Sequence, residues 1–166
     1  MELQNKKSKN YFNKLAIVAD HRGEDYKRFV AKALNEIGVE YVMPEYDGGK
    51  DNDYPDAVVS AYNLYQNKKV DGLVLLCGTG VGMMIGANKC KGIRCVWAND
   101  ESLAAFGRIH EDCNALAMPA GYADEAMGYQ VKLCKRKLQR IVKAFVQTAF
   151  AGGRHQRRVE KLNNIK

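Results

Sequence analysis

No run in this 166-residue chain approaches the ~20 consecutive apolar residues that a bilayer-crossing helix needs, so no membrane function is expected. The opening residues, MELQNKKSKNYFN, are polar and lysine-bearing and lack the apolar centre of a secretory signal. Residues 1–13 read as a mobile surface extension ahead of one domain spanning 14–166. The five cysteines, Cys77, Cys90, Cys95, Cys113 and Cys134, are odd in number and form no CxxC pair. That argues against a disulfide framework and a structural zinc site, and fits a reducing, cytoplasmic setting. Acidic residues are also scarce, 19 against 26 Lys and Arg, for a net charge of +7. Much of the basic excess falls late, from Lys132 through Arg136, Arg140 and Lys143 to Arg154, Arg157, Arg158 and Lys161. Such a bias fits nucleic acid, acidic surfaces or phosphorylated small molecules. The basic residues carry no interleaved aromatics and no reader motif, so no nucleic-acid partner is expected, and Lys132 to Lys143 reads as a solvated helix face.

What is present is an ordinary globular composition, 46% hydrophobic and 27% charged, in a length that suits one domain with a buried core. Strand and helix patterns alternate. Leu15 to Ala19 reads as a strand, and Gly23 to Ile37 as a helix closed by Gly38. Val39 to Met43 reads as a second strand, Pro44 to Asp53 as a loop, and Pro55 to Gln66 as a helix with proline in its first turn. Asp71 to Cys77, Ile93 to Ala98 and Ala115 to Met118 supply three more strands, each followed by a helical segment. This alternation predicts an α/β fold, a doubly wound three-layer α/β/α sandwich around a five-stranded parallel sheet. Ligands of such sheets bind beyond the carboxyl ends of the strands. Asp20 with His21, Cys77 with its glycines, and Asn99 with Asp100 all fall at such ends, which predicts one shared site.

The segment Val74 to Met83, VLLCGTGVGM, carries the strongest local signal. An apolar run delivers Cys77 into a turn where Gly78, Gly80 and Gly82 let backbone amides approach a ligand. Amides at a helix N-terminus attract developing negative charge, and a thiol beside them suits work as a base or nucleophile. The dinucleotide fingerprint fails here, because Met83 stands where its third Gly or Ala belongs and the loop follows the third strand, although Asp100 falls at the spacing of a ribose-binding acid. The P-loop pattern fails as well, for want of Gly-Lys-Ser/Thr.

Only three histidines occur, His21, His110 and His155, and the first two neighbour acids near strand ends. Asp53, Tyr54 and Asp56 add polar groups suited to sugar hydroxyls, with helix capping as the structural reading of Asp53. No nucleophile elbow with a Ser-His-Asp order and no convincing metal-ligand spacing is present.

Taken in order, DHRG at Asp20 to Gly23, DYPD at Asp53 to Asp56, CGTGVGM at Cys77 to Met83, ANK at Ala87 to Lys89, GIR at Gly92 to Arg94, His110 to Asn114, and GGRHQRRVE at Gly152 to Glu160 resemble type B ribose-5-phosphate isomerases. The galactose-6-phosphate isomerase subunits belong to the same family. The resemblance runs from about residue 14 to the C-terminus. It implies a Rossmann-like fold and a homodimer or dimer of dimers with sites between subunits, the C-terminal helix reaching the neighbour. It also implies metal-free, cofactor-free interconversion of aldose and ketose phosphates, typically ribose 5-phosphate and ribulose 5-phosphate. One branch of the family uses a cysteine base at the position of Cys77, the other a glutamate at the position of Met83; this chain resembles the cysteine branch. By that resemblance Cys77 shuttles the proton through a cis-enediolate, His110 assists ring opening, and Thr79 serves the oxygen that changes charge. Asp20 and Tyr54 meet sugar hydroxyls, the amides of Gly78, Gly80, Val81 and Gly82 form an anion hole, and His21, Arg154 and Arg158 hold the phosphate. Arg157 and His155 are expected to be structural.

Two positions depart from the family pattern. Glu111 stands where an asparagine is usual, and Gly121 where an arginine contacts the phosphate. Between Gly121 and Gly152 the chain also looks about ten residues longer than typical members, with Lys132 to Arg140 expected to lengthen a helix. An isomerase of another sugar phosphate, such as a hexose 6-phosphate, and a non-catalytic sugar-phosphate-binding subunit are the alternative readings.

Overall fold

The computed structural model describes residues 9–45 and 53–165. Five parallel strands form one sheet in the order β2-β1-β3-β5-β4: β1 (Lys14–Ala19), β2 (Glu40–Val42), β3 (Gly72–Cys77), β4 (Cys95–Trp97) and β5 (Ala115–Pro119). β1 and β3 are the centre, and their apolar residues are buried on both faces, as expected for parallel strands covered by helices on either side. Helices α1 (Lys27–Ile37), α4 (Glu101–Glu111) and α5 (Lys135–Gln147) cover one face, where Val30, Leu34, Leu138, Ile141 and Phe145 pack on Ile17, Val74 and Leu116. On the other face, α2 (Tyr54–Gln66) and α3 (Val81–Asn88) bring Ala57, Val58, Ala61 and Met83 against Val18, Leu73 and Leu75. The last helix, α6 (Arg154–Asn163), lies outside this sandwich against α4. The expected three-layer α/β/α arrangement on a five-stranded parallel sheet is present. None of the described helices is long and apolar enough to cross a membrane.

Most element boundaries fall within a few residues of the expected ones. The helix expected from Gly23 begins at Lys27, because Glu24–Tyr26 forms a 3₁₀ turn first. Of the expected loop from Pro44 to Asp53, residues 46–52 lie outside the described residues.

Two further differences have clear physical causes. Residues 10–13, expected in a mobile extension, are packed: Phe12 is buried and stacks on Phe145 at 5.0 Å, and the Tyr11 N–H donates to Val146 O at 2.9 Å. Residues 1–8 lie outside the described residues. The extra length after Gly121 does not lengthen a helix. It forms an antiparallel hairpin, β6 (Tyr122–Asp124) and β7 (Tyr129–Val131), whose turn is closed by the Met127 N–H donating to Asp124 Oδ1 at 3.0 Å. The basic stretch beyond it starts α5, which buries Leu138, Ile141, Val142, Phe145 and Val146. Its outer cations meet acids of neighbouring helices, Arg140 with Glu101 and Lys143 with Glu36.

The turn from α4 into β5 is held by two arginines converging on one carboxylate. Asp112, in the left-handed conformation at φ 46°, accepts from Arg108 Nη1 at 2.7 Å and from Arg94 Nη2 at 3.0 Å. Arg108 is buried against the rings of Phe12 and Phe145, and Arg94 also donates from Nε to Glu111 O at 2.8 Å. Removing the shared carboxylate leaves Arg108 buried without its counter-ion. Asp112→Ala is therefore expected to lower unfolding stability by about 2–4 kcal/mol, read from a urea unfolding midpoint at unchanged slope.

Candidate functional site

The strand order reverses between β1 and β3, and the crevice beyond their carboxyl ends is where an open parallel sheet admits a ligand. Their register sets Ala19 opposite Leu76, and the Asp20 N–H donates to Leu76 O at 3.1 Å. Asp20 and His21 therefore stand beside Cys77. Asp20 is buried, and its Oδ1 accepts from the N–H groups of Arg22 at 2.9 Å and Gly23 at 3.1 Å. Oδ2 has no partner among the described residues and remains available to a hydroxyl. His21 is exposed.

Cys77 ends β3 buried, with its Sγ accepting the Gly80 N–H at 3.2 Å, a contact that holds the thiol in one orientation. Gly80 turns the chain at φ 81° into α3, and the Thr79 carbonyl is pinned by Trp97 Nε1 at 2.9 Å. Thr79 Oγ1 accepts the Val81 N–H at 3.3 Å. The N–H groups of Gly78, Thr79, Gly82 and Met83 have no hydrogen-bond partner among the described residues. These donors surround a thiol in a loop that needs an acceptor. The Tyr54 ring, from the first turn of α2, lies over Gly82, where an added Cβ would meet it at 3.0 Å. Asp20, His21, Tyr54, Cys77, Gly78, Thr79, Gly80, Val81 and Gly82 are thus brought together.

The remaining expected site residues are elsewhere. His110 lies in the last turn of α4, and α4 runs back to the amino ends of the strands before β5 begins at Ala115. Ala115 is level with Leu73 and Cys77 with Pro119, so at ~3.3 Å per residue the two poles are about 13 Å apart along the strands. His110 stacks on His155 of α6 at 4.6 Å between centroids, and on its other neighbour Phe106 at 5.6 Å. Arg154 and Arg158 extend exposed from the same helix, four residues apart. One chain therefore carries the expected site residues in two groups at opposite ends of its sheet, with His110, Arg154 and Arg158 apart from the Cys77 loop. Asp100 belongs to neither: its Oδ1 caps α4 by accepting the Leu103 N–H at 2.9 Å. Asp53 precedes α2 without a side-chain capping bond.

His155, expected to be structural, packs beneath His110. It is buried, its Nδ1 has no partner, and its ring forms the seat of His110. Burial lowers its pKa from the usual 6.5, and His110, Arg154 and Arg158 lower it further, against an opposing pull from Glu111. Its place on α6, immediately before the positions of Val159's buried turn, was the available signal. Among the described residues no group of three His, Cys, Asp or Glu side chains is placed to hold a metal ion.

Comparison with known proteins gives the same direction. The family model described as Ribose/Galactose Isomerase matches residues 15–162. Ribose-5-phosphate isomerase B of Escherichia coli is 34% identical over 152 residues, covering 92% of this chain and 95% of that protein. A Bacillus subtilis protein named only by class, as a sugar phosphate isomerase, is 36% identical over 152 residues, covering 91% of this chain and 95% of its own length. The crystal structure of a ribose 5-phosphate isomerase from Thermotoga maritima superposes with a TM-score of 0.78 at 32% identity, covering 92% of this chain and 98% of that one. Motif order, sheet topology and whole-length similarity agree, and the chain belongs to the ribose/galactose isomerase family.

Proposed function

We propose that the protein is an aldose-ketose isomerase acting on ribose 5-phosphate and ribulose 5-phosphate. The observation that carries this reading is Cys77, fixed at the end of β3 by the Gly80 N–H and ringed by unpaired amides, beside the available oxygen of Asp20. Removal of the proton from C2 of an open-chain aldose phosphate leaves negative charge on the C1 oxygen, and donors preset around that oxygen stabilise the charge where it develops. Cys77, as the thiolate, takes the C2 proton and returns it to C1. Thr79 passes the proton from the C2 hydroxyl to the C1 oxygen, which closes the cis-enediolate path with no net gain or loss. Asp20 and Tyr54 orient hydroxyls, and His21 meets the phosphate. One comparable donor is worth about 3 kcal/mol of transition-state stabilisation, so a single amide of this loop aimed at the C1 oxygen already contributes substantially.

Ring opening needs a proton transfer, and His110, the group the resemblance assigns to it, is at the other pole. In this reading a second copy supplies it, with Arg154 and Arg158 closing on the phosphate. Exposed apolar side chains beside each half-site support that assembly: Val81 and Ile85 on α3, next to the Cys77 loop, and Phe106 and Leu103 on α4, one and two turns from His110. The partner is thus a homodimer or a dimer of such dimers. Glu111 enters beside the cation cluster and reduces its positive field, which makes the phosphate grip weaker than with an asparagine there.

Two outcomes are expected. Purified protein should interconvert ribose 5-phosphate and ribulose 5-phosphate, and Cys77→Ala and His110→Ala should each be nearly inactive. Mixed after dissociation and reassociation, the two variants should recover about a quarter of the parental rate, because half of the dimers pair one chain of each and regain one intact site of two. Absence of turnover by the parent shifts the reading to a hexose 6-phosphate or to a binding subunit, and failure of the mixture alone refutes shared sites. The second outcome concerns pH. A histidine with a lowered folded pKa stabilises the fold fully above its unfolded value of 6.5 and loses that contribution as pH falls. Melting temperature should therefore decline below about pH 6.5, and His155→Phe, which keeps the stack without the titration, should flatten that slope.

A further inference from the structure

Arg22 leaves the turn after β1 with its backbone fixed, since its N–H donates to Asp20 Oδ1 at 2.9 Å. Its side chain then crosses the loop after β3. Arg22 Cδ lies 2.8 Å from the point a Cβ on Gly78 would occupy, and Gly121 O and Tyr122 Cβ each lie 3.6 Å from that point. Only the missing side chain of Gly78 lets the arginine pass. The guanidinium ends over the ring of Tyr122 on β6, 5.4 Å from its centroid, within cation–π range.

Three segments therefore meet at this arginine: the Asp20 turn, the Cys77 loop and the hairpin. Further backbone bonds tie the last two together, as the Ala120 N–H donates to Cys77 O at 2.9 Å and the Gly121 N–H to Gly78 O at 3.0 Å. Arg22 is nonetheless exposed, and none of the ion pairs among the described residues includes it. The acid on β6, Asp124, is engaged instead by the Met127 N–H at 3.0 Å and the Tyr122 hydroxyl at 3.4 Å. A guanidinium held by its face keeps its N–H donors in the ring plane, directed outward. Here the side chain follows directly on His21 and its Cδ passes over Gly78, the first residue of the Cys77 loop. The same point is beside Gly121, which carries no side chain of its own to offer an anion.

We propose that Arg22 binds the phosphate of the sugar phosphate through its in-plane donors, and that Tyr122 positions it. The proposal rests on the sugar-phosphate reading and adds a ligand that the cysteine loop and the C-terminal arginines do not supply. The hairpin gains a purpose through it. By stacking on the guanidinium, it aims a long side chain that would otherwise sample many rotamers, and so lowers the entropy lost when the phosphate is taken up.

The test pairs a binding measurement with kinetics on the intact protein. Calorimetric titration with inorganic phosphate and steady-state turnover of ribose 5-phosphate are compared for the parent, Arg22→Gln and Arg22→Lys, with melting temperatures alongside. Arg22→Gln is expected to weaken phosphate binding by about tenfold to a hundredfold and to raise KM by a similar factor with kcat little changed. Arg22→Lys, which keeps the charge but loses the planar fork, should fall between the two. If Arg22→Gln does not fold, Arg22→Lys decides alone, several-fold weaker binding supporting the proposal and unchanged binding overturning it. Unchanged phosphate binding in Arg22→Gln, or no phosphate binding by the parent, overturns it. So does an equal loss in both variants accompanied by a matching fall in melting temperature, the mark of a purely structural clamp. A parent that binds phosphate through Arg22 yet does not turn over ribose 5-phosphate supports the proposal while the isomerase reading fails.

Discussion

A Cβ on Gly80 would stand 2.7 Å from the indole nitrogen of Trp97 and 2.8 Å from the carbonyl carbon of Met118. No side chain fits there, and the φ of 81° is one that L-residues avoid. Because the backbone of Gly80 can sink against β4 and β5, its N–H reaches the sulfur of Cys77 and the Thr79 carbonyl reaches Trp97. The amides of Gly78, Thr79, Gly82 and Met83 are left with no partner among the described residues. Loop shape, thiol orientation and unsatisfied donors thus trace to one close approach. The parallel pairing of β1 with β3 then places the Asp20 turn beside that loop, so the site is assembled by backbone geometry before any side chain contributes.

The opposite pole is built from charge and stacking. Asp112 gathers Arg94 and Arg108 at the end of α4, Arg108 is sandwiched toward Phe12 and Phe145, and Arg94 reaches Asn163 of α6 through Nη1 at 3.2 Å. The Arg94 contact ties down the last residue of α6, and the first turn of that helix sets His155 under His110. His155 is held without a partner for Nδ1 in the company of two arginines, which keeps its ring neutral and flat against its neighbour. The histidine proposed for ring opening is thereby seated on a second, buried histidine.

The architecture was legible because its signals are local. Apolar β-branched runs ending at polar residues gave the strands, and Gly38 and Pro55 marked helix ends. The glycine loop announced itself through spacing alone. What the letters did not show is relative placement across the sheet. His110 and Cys77 each precede or follow a strand, and a linear reading does not distinguish the amino from the carboxyl end for a residue at the close of a helix. The hairpin after Gly121 was missed for a different reason: YAD and YQV are too short to show alternation, and the basic run behind them read as helix extension. Phe12 was assigned to the tail because its polar surroundings outweighed one aromatic residue, although that residue finds its stacking partner 133 positions away in Phe145.

Both strands at the margins of the sheet, β2 and β4, are three residues long. Each offers too few free N–H and C=O groups for another strand to join edge to edge. Extension of the five-stranded sheet by a strand from another copy is thereby disfavoured, which leaves helix surfaces as the faces of this sandwich on which a second copy would pack. Helix surfaces meet through side chains rather than through a repeating backbone pattern, so the angle and register of such an assembly respond to single substitutions. Within one architecture, the way copies meet can be redrawn without disturbing the strands that hold each copy together.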